Sequence, residues 1–187
     1  MAEWQHGKLK LRGGHTWKAA PGCNVFVADR GAVRFDFPQD WIIVPDPDSI
    51  KIYDKKPPGD DCVLAVSYLR LPPINWEGLP LASLVEVAIK GDKRPTYEYG
   101  RIRELRKGAM EIAWREMCFV DPVGKRDARS RLCLARGSQI QAMITFDFWA
   151  DDAKRCGPVW DTVLQTLRLG ESIPDPTRGP GKSKDEE

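Results

Sequence analysis

The sequence predicts an α+β fold: an antiparallel β-sheet of about six to eight strands flanked by two main helices. Three observations carry that expectation. Most apolar segments alternate with polar residues at a period of two, which buries one face of a strand and wets the other. Only two segments, near residues 80–90 and 152–167, carry apolar residues at helical spacing. The segments run as several strands, a helix, four strands and a closing helix, an order that suits hairpins better than alternating βαβ units.

Residues 24–28 and 33–37 are β-rich and flank Asp29-Arg30-Gly31, where Gly31 can supply the positive φ of a tight hairpin. Val33, Phe35 and Phe37 alternate with Arg34 and Asp36. Pro38 removes a ladder donor and ends that strand, and Trp41-Ile42-Ile43-Val44 follows before a Pro45-Asp46-Pro47-Asp48 loop. Ile50 and Ile52 mark a short strand. Residues 62–69 are apolar on both parities, as expected of a central strand covered on both faces.

After Pro72-Pro73, the first helix spans residues 80–90 with Leu81, Leu84, Val85 and Ala88 on one stripe, and Gly91 stops it. Four strands follow at about residues 97–106, 110–120, 129–136 and 139–149, joined by links short enough for antiparallel hairpins. The last alternates most cleanly, with Ile140, Ala142, Ile144, Phe146 and Phe148 facing one way. The closing helix carries Val159, Trp160, Val163, Leu164 and Leu167, and Gly157-Pro158 predicts a break near its start.

The organisation expected is a flexible leader at 1–22, one domain at 23–169 and a disordered tail at 170–187. The tail is rich in Pro, Gly and charge and has too little apolar surface to offset its ordering entropy. With 42% hydrophobic and 30% charged residues, the 187-residue chain has the composition of an ordinary globular domain. A net charge of +2 lacks the strong basic excess of a dedicated nucleic-acid binder. The opening Met1-Ala2-Glu3-Trp4-Gln5-His6 is unlike a secretory signal and no apolar run is long enough to span a bilayer, so a cytoplasmic protein without membrane attachment is expected. The five cysteines are widely spaced and read as reduced, mostly buried thiols.

The familiar catalytic constellations are missing from this sequence. Its two histidines, His6 and His15, fall in the leader, away from any rigid frame that could hold a general base. No serine sits in a nucleophile elbow, and Gly13-Gly14 and Gly179-Pro180-Gly181-Lys182 match neither phosphate-binding fingerprint. Asp46, Asp48, Asp60 and Asp61 bracket one strand and are either a hard-cation site or solvated turn residues. No cofactor and no metal is expected.

Arg101, Arg103, Arg115, Arg129 and Arg131 fall in consecutive predicted strands, where correct register would line them up as a stripe for acidic groups. The alternative is a solvated sheet face on which Glu98, Glu104, Glu111 and Glu116 neutralise them across strands. Of the seven tryptophans, Trp41, Trp114 and Trp160 read as core. Trp76, in a Pro-rich loop, and Trp17 read as anchors for a partner or as residues closing a core edge.

The run Phe35-Asp36-Phe37-Pro38-Gln39-Asp40-Trp41 and the close Thr145-Phe146-Asp147-Phe148 followed by Trp160-Asp161-Thr162-Val163-Leu164-Gln165-Thr166-Leu167-Arg168-Leu169 resemble the PsbP-like superfamily over residues 25–169. The resemblance implies an α/β/α sandwich. Among the superfamily's members are an extrinsic photosystem II subunit, a Ran-binding transport factor, DcrB-like lipoproteins and chaperones of secreted effectors, so it implies accessory or binding roles. The expectation is therefore a non-catalytic factor that binds another protein, with Arg101, Arg103, Arg115, Arg129, Arg131 and Trp76 as partner-binding residues. The rivals are an effector chaperone, an anionic-ligand or nucleic-acid binder, and an enzyme using the loop carboxylates.

Overall fold

The computed structural model describes residues 10–76 and 78–180. In chain order the strands are β1 (Cys23–Ala28), β2 (Val33–Pro38), β3 (Ile42–Asp46), β4 (Ser49–Tyr53) and β5 (Cys62–Arg70). Helix α1 (Leu81–Lys90) follows, then β6 (Thr96–Tyr99), β7 (Arg103–Lys107), β8 (Met110–Val120), β9 (Asp127–Gly137), β10 (Ile140–Trp149), helix α2 (Ala153–Thr166) and β11 (Arg168–Leu169).

Eight strands form one antiparallel sheet in the order β3-β4-β5-β10-β9-β8-β6, with β7 also paired to β8. β1, β2 and β11 form a separate three-stranded sheet with β2 at its centre. One face of the large sheet is closed by α2 and the small sheet. There Ile52, Leu64, Ile144 and Phe146 meet Phe35 from β2 and Trp160 and Val163 from α2. Trp160 stacks on Phe146 at 6.1 Å between centroids and meets Trp114 edge-on at 5.6 Å, geometries that aromatic quadrupoles favour. Trp41, Trp114 and Trp160 are all buried. On the opposite face α1 lays Leu81, Val85 and Ile89 on Ala113, Met117, Leu132 and Leu134 of β8 and β9.

Several expectations are corrected. β5 is central in the sheet but buried on one face only: Cys62, Leu64 and Val66 are covered, while Val63, Ala65 and Ser67 are half-open, because α1 stops over β8 and β9. The first strand of the meander splits into β6 and β7 around Gly100, whose N–H donates to Glu116 O at 2.9 Å. Pro45 lies inside β3, an edge strand, where a missing N–H costs no ladder bond. α2 runs unbroken through Pro158. Gly157 has no Cβ to collide with the proline ring, and the buried Cys156, Trp160, Val163 and Leu164 hold the helix on the core.

β11 closes the domain by extending the small sheet, and just beyond it, in the described part of the tail, Ile173 is fully buried and its N–H donates to Arg30 O at 3.0 Å. Arg34 pairs with Glu171 at 3.1 Å. Leader and tail also hold each other: Trp17 Nε1 donates to Pro176 O at 2.8 Å and Thr16 N to Arg178 O at 2.7 Å. The expectations for residues 1–9, including His6, and for residues 181–187 lie outside the described residues.

Candidate functional site

Register decides what the arginines can do. Glu116 faces Arg131 across β8 and β9, while Arg115 faces Leu132. Successive residues of a strand point to opposite sides, so Arg129 and Arg131 lie on the α2 face and Arg115 on the α1 face. Arg103, opposite Trp114, also lies on the α2 side. The five residues therefore do not form one stripe.

Glu116 accepts from Arg129 Nη1 at 2.9 Å and from Arg131 Nε at 2.7 Å. Arg131 is 13% exposed, and its guanidinium lies 5.2 to 5.9 Å from the ring centres of Phe148, Trp114 and Trp160. It closes the edge of the aromatic core. Arg115 donates to Gly100 O at 2.7 Å and covers Tyr99, bracing the split between β6 and β7. Arg103 lies over Trp114 at 5.1 Å, and Arg101 is exposed in the link before β7. Neither is paired with a carboxylate among the described residues.

A second glutamate repeats the pattern at the far end of β8. Glu111 accepts from Arg136 Nη2 at 2.9 Å and from Arg106 Nη2 at 2.6 Å, and the two guanidinium groups hold its carboxyl below the usual range. Arg136 is 8% exposed and its Nη1 has no acceptor. It lines a cleft of about 230 Å³ whose other wall is the loop carrying Pro72, Ile74 and Trp76. Trp76 is half-buried there, with Nε1 donating to Pro72 O at 3.3 Å. Ser138 and Gln139, the two-residue turn between β9 and β10, close the end of the cleft, both left-handed at φ 49° and 60°. Such a hairpin turn requires positive φ at both centres, a conformation strained for residues with a Cβ.

Glu111 was among the glutamates expected to neutralise arginines across strands, but its partner Arg136 was missed because it ends an apolar run. The available signal was parity: with the β8–β9 turn placed, Glu111 and Arg136 fall opposite each other.

The other candidates scatter. Asp46 pairs with Lys51 at 2.6 Å and Asp61 with Lys55. Among the described residues no three His, Cys, Asp or Glu side chains gather as metal ligands. His15 is exposed near a turn whose backbone bond runs from its N–H to Arg12 O. Trp17 binds the tail and carries Arg34 at 5.3 Å over its ring, so it closes an edge and presents no free anchor. All five cysteines are free thiols. Cys62 and Cys156 are hydrogen-bonded to each other, an interaction that raises the first and lowers the second.

One more feature was not expected from sequence. Beyond α1, the same sheet face stays open across β10, β5, β4 and β3. It exposes Met143, Leu69, Val44 and Ile42, each between 39% and 52% accessible. No helix among the described residues is long and apolar enough to cross a membrane.

The Alr1449 family matches residues 24–173. The uncharacterised protein alr1449 of Nostoc sp. strain PCC 7120 is 45% identical over 178 residues, covering 95% of this chain and 93% of that one. Among solved structures, cyanobacterial PsbP from Synechocystis sp. PCC 6803 superposes with a TM-score of 0.55 at 15% identity, over 88% of this chain and all of that one. LpqN, involved in cell envelope biogenesis of Mycobacterium tuberculosis, gives 0.55 at 11%, over 78% and 88%. At those identities the likeness is one of fold, and it is the fold that the two strand-and-tryptophan motifs resembled. The chain has the PsbP-like fold and belongs to the Alr1449 family.

Proposed function

We propose that this chain is a non-catalytic accessory factor that binds another protein through the open half of the large sheet, in a cytoplasm that keeps its five thiols reduced. The observation that carries the reading is the exposure of Ile42, Val44, Leu69 and Met143 on one uncovered sheet face. They fall as two pairs, Ile42 with Val44 on β3 and Leu69 beside Met143 on β5 and β10, and apolar surface left in water is a cost that partner burial removes. β3 adds an edge strand whose Ile42, Ile43 and Val44 are all exposed. The chaperone reading uses the same face and differs only in the client. A second reading, an anionic partner held by Arg101 and Arg103, is favoured because neither pairs with a carboxylate among the described residues.

The test compares tagged wild type with Leu69→Glu/Met143→Glu and with Arg101→Glu/Arg103→Glu in pull-downs from the native cell. A stoichiometric partner kept by wild type and lost by the sheet-face variant, with an unchanged melting temperature, supports the reading. Loss only in the arginine variant moves the interface to the second reading. Identical capture by all three chains, or no stoichiometric partner, refutes both.

A further inference from the structure

We propose that the cleft over Arg136 binds a small monocarboxylate carrying an apolar or aromatic group. This goes beyond the protein-binding reading and does not depend on it, since it uses the turn end of β8–β10 and not the open strands.

Charge comes first. Glu111 is shared by Arg136 and Arg106, so two cations face one carboxylate and one positive charge is left over. Donors come second. A guanidinium presents five N–H groups in a fixed fork; Arg136 lines the cleft and spends Nη2 on Glu111, while its Nη1 is buried without an acceptor, so a ligand reaches that nitrogen only by displacing what now covers it. Carboxylate oxygens match that fork, and a charged partner satisfies a buried donor more strongly than a neutral one.

The opposite wall sets the rest of the ligand. Pro72, Ile74 and Trp76 offer an apolar ledge with one indole ring. Leu71 N donates to Gln139 O at 2.7 Å, which ties this loop to the strained Ser138-Gln139 turn and fixes the width of the cleft. A volume of about 230 Å³ is below the roughly 300–1,000 Å³ of drug-sized pockets and equals about eight water molecules' share of liquid. It suits a single-ring or short aliphatic acid and is too small for a nucleotide.

A free acid and the C-terminal carboxylate of a peptide offer the same chemistry, and one titration separates them. The full chain, labelled with ¹⁵N, is titrated with phenylacetate, phenylacetamide, the peptide Gly-Gly-Phe and its C-terminal amide, following the Trp76 indole N–H by NMR. Saturable shifts are expected with phenylacetate and absent with phenylacetamide. Arg136→Gln is expected to abolish them, and Trp76→Ala, followed through the Ser138 and Gln139 amides, to weaken binding about tenfold. Gly-Gly-Phe binding more tightly than phenylacetate assigns the site to chain ends, and the reverse assigns it to free acids. Equal shifts from the acid and its amide, or none at Trp76 up to about 20 mM phenylacetate, overturn the proposal. Should Arg136→Gln fail to fold, the acid–amide pair on wild type and Trp76→Ala decide it. A peptide that binds here while the pull-down fails leaves this inference standing and the protein-binding reading refuted.

Discussion

Arg131 and Arg136 sit on one strand, are both nearly buried, and each bonds to a glutamate of the neighbouring strand. They differ in parity and in what lies above them. Arg131 faces the α2 layer, where Trp114, Phe148 and Trp160 surround its guanidinium. Arg136 faces the other side at the end of the sheet, beside a cleft and a proline-rich loop. The same ion pair is a structural closure where aromatic rings cover it and a candidate binding group where they do not.

The largest effect should come from the closed pair. Glu116→Ala leaves Arg131 and Arg129 without their shared carboxylate; with Arg131 13% but Glu116 20% and Arg129 36% exposed, the loss is expected at the lower end of the buried-pair range, about 3 kcal/mol. Urea unfolding at pH 7 measures it, and a loss below about 1 kcal/mol would place the Glu116 pair among ordinary surface bridges and dissolve the contrast.

Asp54 sharpens the contrast from outside both pairs. Burial pushes its carboxyl up, but the amide N–H groups of Asp61 and Cys62 and the Arg155 guanidinium outweigh burial and leave it below the usual range. Asp54→Ala is expected to cost about 2 kcal/mol at neutral pH through lost hydrogen bonds to a charged acceptor. A depressed folded value means that the contribution is fully present above the unfolded value, about 3.9, and is lost as pH falls through the folded one. The stability gap between wild type and Asp54→Ala should be flat from pH 7 to about 5 and narrow below about 4. A gap that widens on acidification would show the sign to be wrong.

Period-two alternation made β2 and β10 readable, because each has one fully buried face: Val33, Phe35 and Phe37 on one, Ile140 to Phe148 on the other. β5 misled because apolar residues on both parities signify burial only if something covers both sides, and α1 covers β8 and β9 instead. β11 and Ile173 were illegible because a two-residue strand and a lone isoleucine carry no period. The arginines were found by composition, but their faces depend on register, which shifts every side chain when it slips by one. Trp76 was nominated from its loop and does line the cleft, whereas the Arg136 donor that gives the cleft its charge was hidden at the end of an apolar run.

Glu111→Gln makes the smallest change and tests the open pair directly. Gln keeps an oxygen to accept from the nearly buried Arg136, and Arg106 is 70% exposed and stays solvated, so this near-isosteric substitution is expected to cost only about 1 kcal/mol in urea unfolding. It also removes the negative charge that competes for Arg136, so phenylacetate should bind about fivefold more tightly to this variant. The matching Glu116→Gln change, on the covered face, should leave phenylacetate affinity untouched. If both substitutions alter binding alike, Arg131 and Arg136 share one electrostatic environment and the cover of aromatic rings does not separate them. If only Glu111→Gln does, what covers each pair decides whether an arginine on this sheet is spent on the fold or left for a ligand.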